Sequence, residues 1–301
     1  MQAIATILFL TLFASSVCYS KELSLTFDDG PSLFSPILGQ KSRSLAIRKA
    51  LKENGVNQVM MFTTTGTNKE KTQTLLLPYV KEGHLVANHT VNHPDYSKTS
   101  TEVFRREVQG AHEIIKALPT FAAFFRFPML RHGNDHSKRT AGEKILKKLG
   151  YRHGWVTIDN SEWAVEAELR AAKNRGDKIN HEKLCNVYKS HLVGEAEYFY
   201  ALGERHVGKD IRHTLLLHEN DVAGFCLAAL IDALKRAGWK ISSPLEVYSD
   251  ALYHKTPKTD QLNQGLIMAL AIDAGYTGPT QQESEKALRK RLKNSGAFTP
   301  R

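Results

Sequence analysis

Short apolar runs of three to five residues recur along the chain at 23–27, 58–62, 84–87, 122–125, 154–158, 214–217 and 239–241. Between them, residues 44–54, 102–118, 143–149 and 224–237 carry apolar side chains three and four positions apart, the spacing that gives a helix one buried face. Strands alternating with helices predict βα units whose strands run parallel. Seven runs are one short of the eight that close a regular barrel, so an α/β fold with a distorted (β/α) barrel of about seven strands competes with an open sheet. A long helix-patterned stretch over 164–212 reads as an insertion. Helical spacing returns at 265–272 and 284–292, which predicts a main domain over 21–250 and a C-terminal helical appendage over 251–301.

The first twenty residues change the picture at the N-terminus. They carry no charged side chain, hold an apolar run over 3–14 and end in small residues, which predicts a secretory signal peptide over 1–20. An uncleaved anchor is the alternative, but the run is well short of the roughly 20 residues that cross a bilayer, and no later segment is long enough. The expected chain is exported, periplasmic or secreted, with no transmembrane segment. Hydrophobic residues make up 42% and charged residues 24%, which excludes disorder, collagen and coiled coil as the main architecture. Forty-one basic residues against 31 acidic give a net charge of +10, which favours encounter with anionic polymers such as cell-wall material. Those charges are scattered over helical stretches as solvated faces, so no nucleic-acid partner is expected. Cys185 and Cys226 remain beyond the leader. An oxidising compartment permits a bond between them, and two buried free thiols fit equally well. The pattern leaves the oligomeric state open.

The chemistry lies at the strand ends. The run 23–27 leads into Asp28-Asp29-Gly30-Pro31, the run 84–87 into Asn88-His89-Thr90-Val91-Asn92-His93, and the run 122–125 into Arg126-Phe127-Pro128. Likewise 154–158 leads into Asp159 and 214–217 into His218. In a βα barrel the C-terminal strand ends share one mouth, so groups far apart in sequence can meet there.

A hydrolytic zinc site takes three protein ligands from His, Asp or Glu and leaves a fourth position for water. Asp29, His89 and His93 supply such a set. The plainer alternative makes the histidines polar loop residues and the aspartates helix caps. Two adjacent carboxylates invite a division of labour, with Asp29 on the metal, Asp28 as general base and Arg126 as partner of that base. A leaving group needs a protonated imidazole, which a nearby carboxylate favours; here Asp159 would support His218 as general acid. A glycosidase pairing Asp28 or Asp29 with Glu162 would leave His89 and His93 unemployed.

These motifs, together with Trp155 through Asp159 to Trp163 and Leu216-Leu217-His218, resemble the five ordered motifs of the polysaccharide deacetylase family, the NodB-homology carbohydrate esterases. The resemblance covers roughly residues 22–245. It implies a distorted (β/α) barrel with one divalent metal, zinc before cobalt or nickel, acting on an acetylated glycan of peptidoglycan or chitin type. It further implies Asp28 as base, Asp29, His89 and His93 as ligands, Arg126 as the partner of the base, and His218 as acid backed by Asp159. The backbone N–H of Met129 would hold the oxyanion, and Trp163 and Leu216 would wall the acetyl pocket. Two positions depart from the family pattern: Leu130 stands where glycine is usual, and Glu162 where an aspartate precedes the tryptophan. The alternative function is glycan binding without turnover on the same scaffold.

Overall fold

The computed structural model describes residues 21–31, 36–259 and 264–300; the expected signal peptide lies outside the described residues. The strands in chain order are β1 (Lys21–Asp28), β2 (Met60–Thr63), β3 (Leu85–Asn88), β4 (Phe121–Phe125), β5 (Arg152–His153), β6 (Lys178–Ile179), β7 (Arg212–His218), β8 (Trp239–Ile241) and β9 (Phe298–Thr299). The helices are α1 (Gln40–Glu53), α2 (Lys69–Lys81), α3 (Thr101–Ile115), α4 (His136–Lys148), α5 (Glu162–Arg175), α6 (His181–His206), α7 (Asp221–Arg236), α8 (Pro244–Val247), α9 (Leu266–Asp273) and α10 (Glu285–Asn294).

One parallel sheet has the order β5-β4-β3-β2-β1-β7, with β8 also on β1. β1 is its centre: residues 22–28 pair with β7, residues 26–28 with β2 and residues 21–23 with β8. β2 and β8 therefore share one edge of β1 while β7 takes the other. Six consecutive residues of β1, Leu23 to Asp28, are buried, as expected of a strand covered on both faces in a parallel sheet.

The apolar run 154–158 does not form the strand its composition predicts. β5 precedes it, and the run then bends across to β7, where Ile158 bridges Leu215. Ile158 N–H donates to Thr214 O and Leu216 N–H to Ile158 O, so a single bridge links the segment after β5 to β7 and the curled sheet is nearly closed. Gly154 makes the bend fit, because a Cβ there would lie 2.4 Å from the Phe62 ring.

Leu23, Leu25 and Phe27 of β1 and Leu215 and Leu217 of β7 share one core cluster with Leu227 and Leu230 of α7. Leu266 and Ile267 of α9 and Leu288 and Leu292 of α10 belong to the same cluster. β9 pairs antiparallel with β6, which returns the C-terminal end to the insertion. Cys185 and Cys226 are joined in a disulfide that ties α6 to α7. Among the described residues, no helix is long and apolar enough to cross a membrane.

Candidate active site

The sheet register gathers the strand ends. Asp28 and His218 are partners across the β1–β7 pair, and Asn88 of β3 stands beside Thr63 of β2 and Phe125 of β4. The residue that follows each strand therefore emerges on the same rim.

Asp29, His89 and His93 come together there, with one ligand atom from each lying within 4.8 Å of the others. His93 Nε2 lies 3.3 Å and His89 Nε2 3.7 Å from Asp29 Oδ1. His89 Nδ1 lies 2.8 Å from the Arg126 carbonyl. A carbonyl only accepts, so Nδ1 carries the proton and Nε2 offers its lone pair to the cluster. Burial lowers the His89 pKa to about 4, against the pull of Asp28, and keeps the ring neutral as a ligand must be. Burial alone would raise the Asp29 pKa, yet His93, His218 and His89 and a hydrogen bond from Thr64 bring it below the usual carboxylate value. This donor set fits a divalent cation, with the two imidazoles and one carboxylate of a hydrolytic zinc centre.

The loop that carries the histidines is shaped by polar contacts. Thr90 N–H donates to Asn88 Oδ1 at 2.9 Å and His93 N–H to Thr90 Oγ1 at 3.0 Å. Glu107 of α3 accepts from the backbone of Val91 and Asn92 at 3.1 and 2.7 Å. Beneath the loop, Tyr96, Phe104, Phe125 and Phe127 pack as an aromatic cluster.

Asp28 is buried beside the triad, with Oδ2 3.6 Å from His89 Nε2. Its Oδ1 accepts from Arg126 Nη1 at 2.5 Å. The fully buried guanidinium is fixed by several partners: Nη1 also donates to Thr26 Oγ1, Nε to Gly154 O and Nη2 to the Tyr248 hydroxyl, and its Cζ lies 3.8 Å from the Phe62 ring centre.

His218 corrects one expectation. Its Nδ1 donates to Glu162 Oε2 at 2.8 Å, so Glu162 rather than Asp159 is the carboxylate behind the imidazole. Glu162 is fully buried at the start of α5, and its Oε1 also accepts from Asn220 Nδ2. Asn160 makes this placement: Nδ2 donates to Leu216 O of β7 while Oδ1 accepts from Glu162 N–H, so the head of α5 is pinned under His218. Asp159 lies before α5 and accepts from Asn160 N–H instead. It lines a cavity shared with Asp28 and His218, and burial lifts its pKa to about 6. Burial opposes charge on His218, but the hydrogen bond and charge of Glu162, with Asp29 and Asp28 behind, raise its pKa to about 9. A Glu162 committed in this way is also withdrawn from any glycosidase pairing.

A cavity of about 690 Å³ opens over Asp28 and His218 and is lined by Met129, Leu130, Trp163 and Leu216 among others. Met129 and Leu130 have φ of 55° and 53°. Leu130 thus adopts the backbone that a glycine would take without strain. Its side chain packs with Val156 and Leu216, a burial that offsets the cost of that conformation. The signal for Glu162 was its position before Trp163. No local pattern marked Glu107, Asn160 or Tyr248.

A parallel, nearly closed α/β sheet thus carries the Asp29–His89–His93 cluster, the Asp28–Arg126 pair and the His218–Glu162 pair on one rim. The model of the polysaccharide deacetylase family matches residues 19–154. The chain is 35% identical over 173 residues to a chitooligosaccharide deacetylase of Rhizobium leguminosarum bv. trifolii, covering 54% of this chain and 72% of that one. It is 34% identical over 153 residues to a peptidoglycan-N-acetylglucosamine deacetylase of Bacillus cereus, covering 50% of each. The solved peptidoglycan deacetylase PdaC of Bacillus subtilis is 18% identical, with a TM-score of 0.49 over 76% of this chain and 91% of that one. The chain belongs to the polysaccharide deacetylase family. It spans about half the length of the first curated relatives it matches.

Proposed function

We propose that this chain is an exported, metal-dependent deacetylase that hydrolyses acetyl groups on a glycan, with an N-acetylated amino sugar of peptidoglycan or chitin type as substrate. The observation that carries this reading is the position of Asp28, gripped by Arg126 on one side and facing the Asp29–His89–His93 cluster on the other. A divalent cation held by those three residues, zinc in this reading, would polarise both the acetyl carbonyl and the attacking water.

The chain's own groups do the rest. Asp28 takes the proton from the water, and Arg126 keeps its carboxylate oriented through that step. The Met129 N–H, in its left-handed turn, is assigned to the oxyanion. His218, protonated at neutral pH because its pKa is raised to about 9, gives its Nε2 proton to the departing amine while Glu162 holds Nδ1. Trp163 and Leu216 confine the acetyl group, and Asp159 shapes the polar wall beside them. The Cys185–Cys226 disulfide supports export, since such bonds persist in oxidising compartments.

The test is acetate release from N-acetylglucosamine oligomers and peptidoglycan, with metal content measured on the same protein. About one zinc per chain is expected, with loss of release on chelation and recovery on adding zinc back. Replacing Asp28 by Asn should lower release by about 10²–10⁴-fold, the range for a general base, with the metal retained. Undiminished release from metal-free protein would refute the reading.

A further inference from the structure

The cavity over Asp28 and His218 extends beyond the residues that carry the family match. Part of its lining comes from the C-terminal segment: Met268 of α9, then Thr280, Gln281 and Glu285 at the head of α10. That wall is built rather than incidental. The Ser161 hydroxyl donates to Gln281 Oε1 at 3.1 Å. Fully buried Glu195 of α6 accepts from the backbone N–H groups of Gln282 and Glu283 at 3.0 and 2.9 Å. One turn earlier, buried His191 accepts from Ser161 N–H at Nε2 and reaches Glu283 through Nδ1. Two buried side chains of one helix thus lock residues 281–283 against the loop that leads into Trp163.

The chemistry of the enclosed space is selective. Trp163 is 45% exposed, and the Arg289 guanidinium lies 5.6 Å from its ring centre, which backs the indole and leaves aromatic surface for stacking. Arg289 also pairs with Glu285 and Glu168, and Arg131 of the cavity lining is paired with Asp95. Asp28 and Glu285 of the lining are likewise paired, with Arg126 and Arg289, so most of the charge around the cavity is already engaged within the protein. Hydroxyl and amide groups beside an aromatic face suit an uncharged sugar ring.

We infer that the C-terminal segment forms a second sugar-binding subsite, which takes the unit next to the acetylated one in a glycan chain. This rests on the deacetylase reading above and adds chain-length selectivity to it. Acetate release from N-acetylglucosamine and from its tetramer is compared in the wild type, in the double variant Thr280→Ala/Gln281→Ala, and in Thr280→Trp, which fills the space instead of emptying it. Thermal melting checks that each variant folds. The ratio of kcat/KM for tetramer over monomer should fall about tenfold in both, the loss expected from one or two hydrogen bonds. A ratio equal to that of the wild type overturns the subsite while leaving the deacetylase reading intact. If the wild type releases no acetate from either substrate, the deacetylase reading fails and calorimetric titration with the tetramer decides the subsite. A Kd weakened about tenfold in both variants then upholds it, and an unchanged Kd or no binding by the wild type overturns it.

Discussion

Five non-glycine residues on the candidate site's rim, Asp29, Thr90, His93, Met129 and Leu130, have positive φ. Left-handed backbone costs such residues about 1–3 kcal/mol each and persists where surrounding structure over-determines it. Here the surroundings are the Thr90 and Asn88 turn contacts and the apolar cluster around Leu130. At the same scale, Glu162 sets the proton affinity of His218. Replacing Glu162 by Gln removes the charge that holds the imidazolium, so the His218 pKa falls from about 9 and the basic limb of the kcat/KM profile moves to lower pH. The sign for stability follows from the raised folded-state pKa: the pair stabilises fully below the unfolded value of about 6.5 and ceases to do so as pH rises through 9. Melting curves of the variant should therefore show a larger deficit at pH 6 than at pH 9.5, and an equal deficit at both would exclude this linkage.

Elements decide how the ligands are presented. α3 begins with a Ser100 cap and presents Glu107 two turns later to the loop of the two histidines. Substituting Ala for Glu107 frees the Val91 and Asn92 amides, and metal affinity should drop about 10–100-fold, as when a ligand's outer support is removed. Competition with a chelating dye measures this, and unaltered affinity would show that the loop holds its shape without α3. Helix spacing in the sequence marks α1, α3, α4 and α7 but does not single out α2, where Leu75, Leu76 and Leu77 run together and Pro78 interrupts the pattern. The run 154–158 misleads in the opposite direction. Its apolar residues are buried as a strand's would be, but Arg126, Tyr248 and Thr214 take its carbonyls from the side, at Gly154 and Trp155.

Across the whole molecule, the insertion and the C-terminal segment are bound into one core with the sheet. The Cys185–Cys226 bond closes a loop of 41 residues and clamps α6, which carries His191 and Glu195, to α7 behind His218. Replacing both cysteines by Ala should cost about 4 kcal/mol by the loop-entropy relation. For a chain of this size that corresponds to a melting temperature lower by roughly 8–16 °C. A melting temperature within a degree or two of the wild type would mean that packing alone holds the two helices.

The alternation of apolar runs with helical spacing, and the reactive residue after each run, are local properties of the sequence. They determine parallel βα units, and since parallel strands point the same way they also determine that Asp28, Asp29, His89, Arg126 and His218 share a rim. Which carboxylate backs His218, how the sheet curls toward closure through residues 154–158, whether Cys185 and Cys226 pair and what walls the cavity were decided only by tertiary structure. Each of these depends on side-chain direction and on contacts between segments from 26 to more than 100 residues apart, as with Tyr188 and Glu162 or Ser161 and Gln281, and spacing along one segment carries no record of what another will present to it.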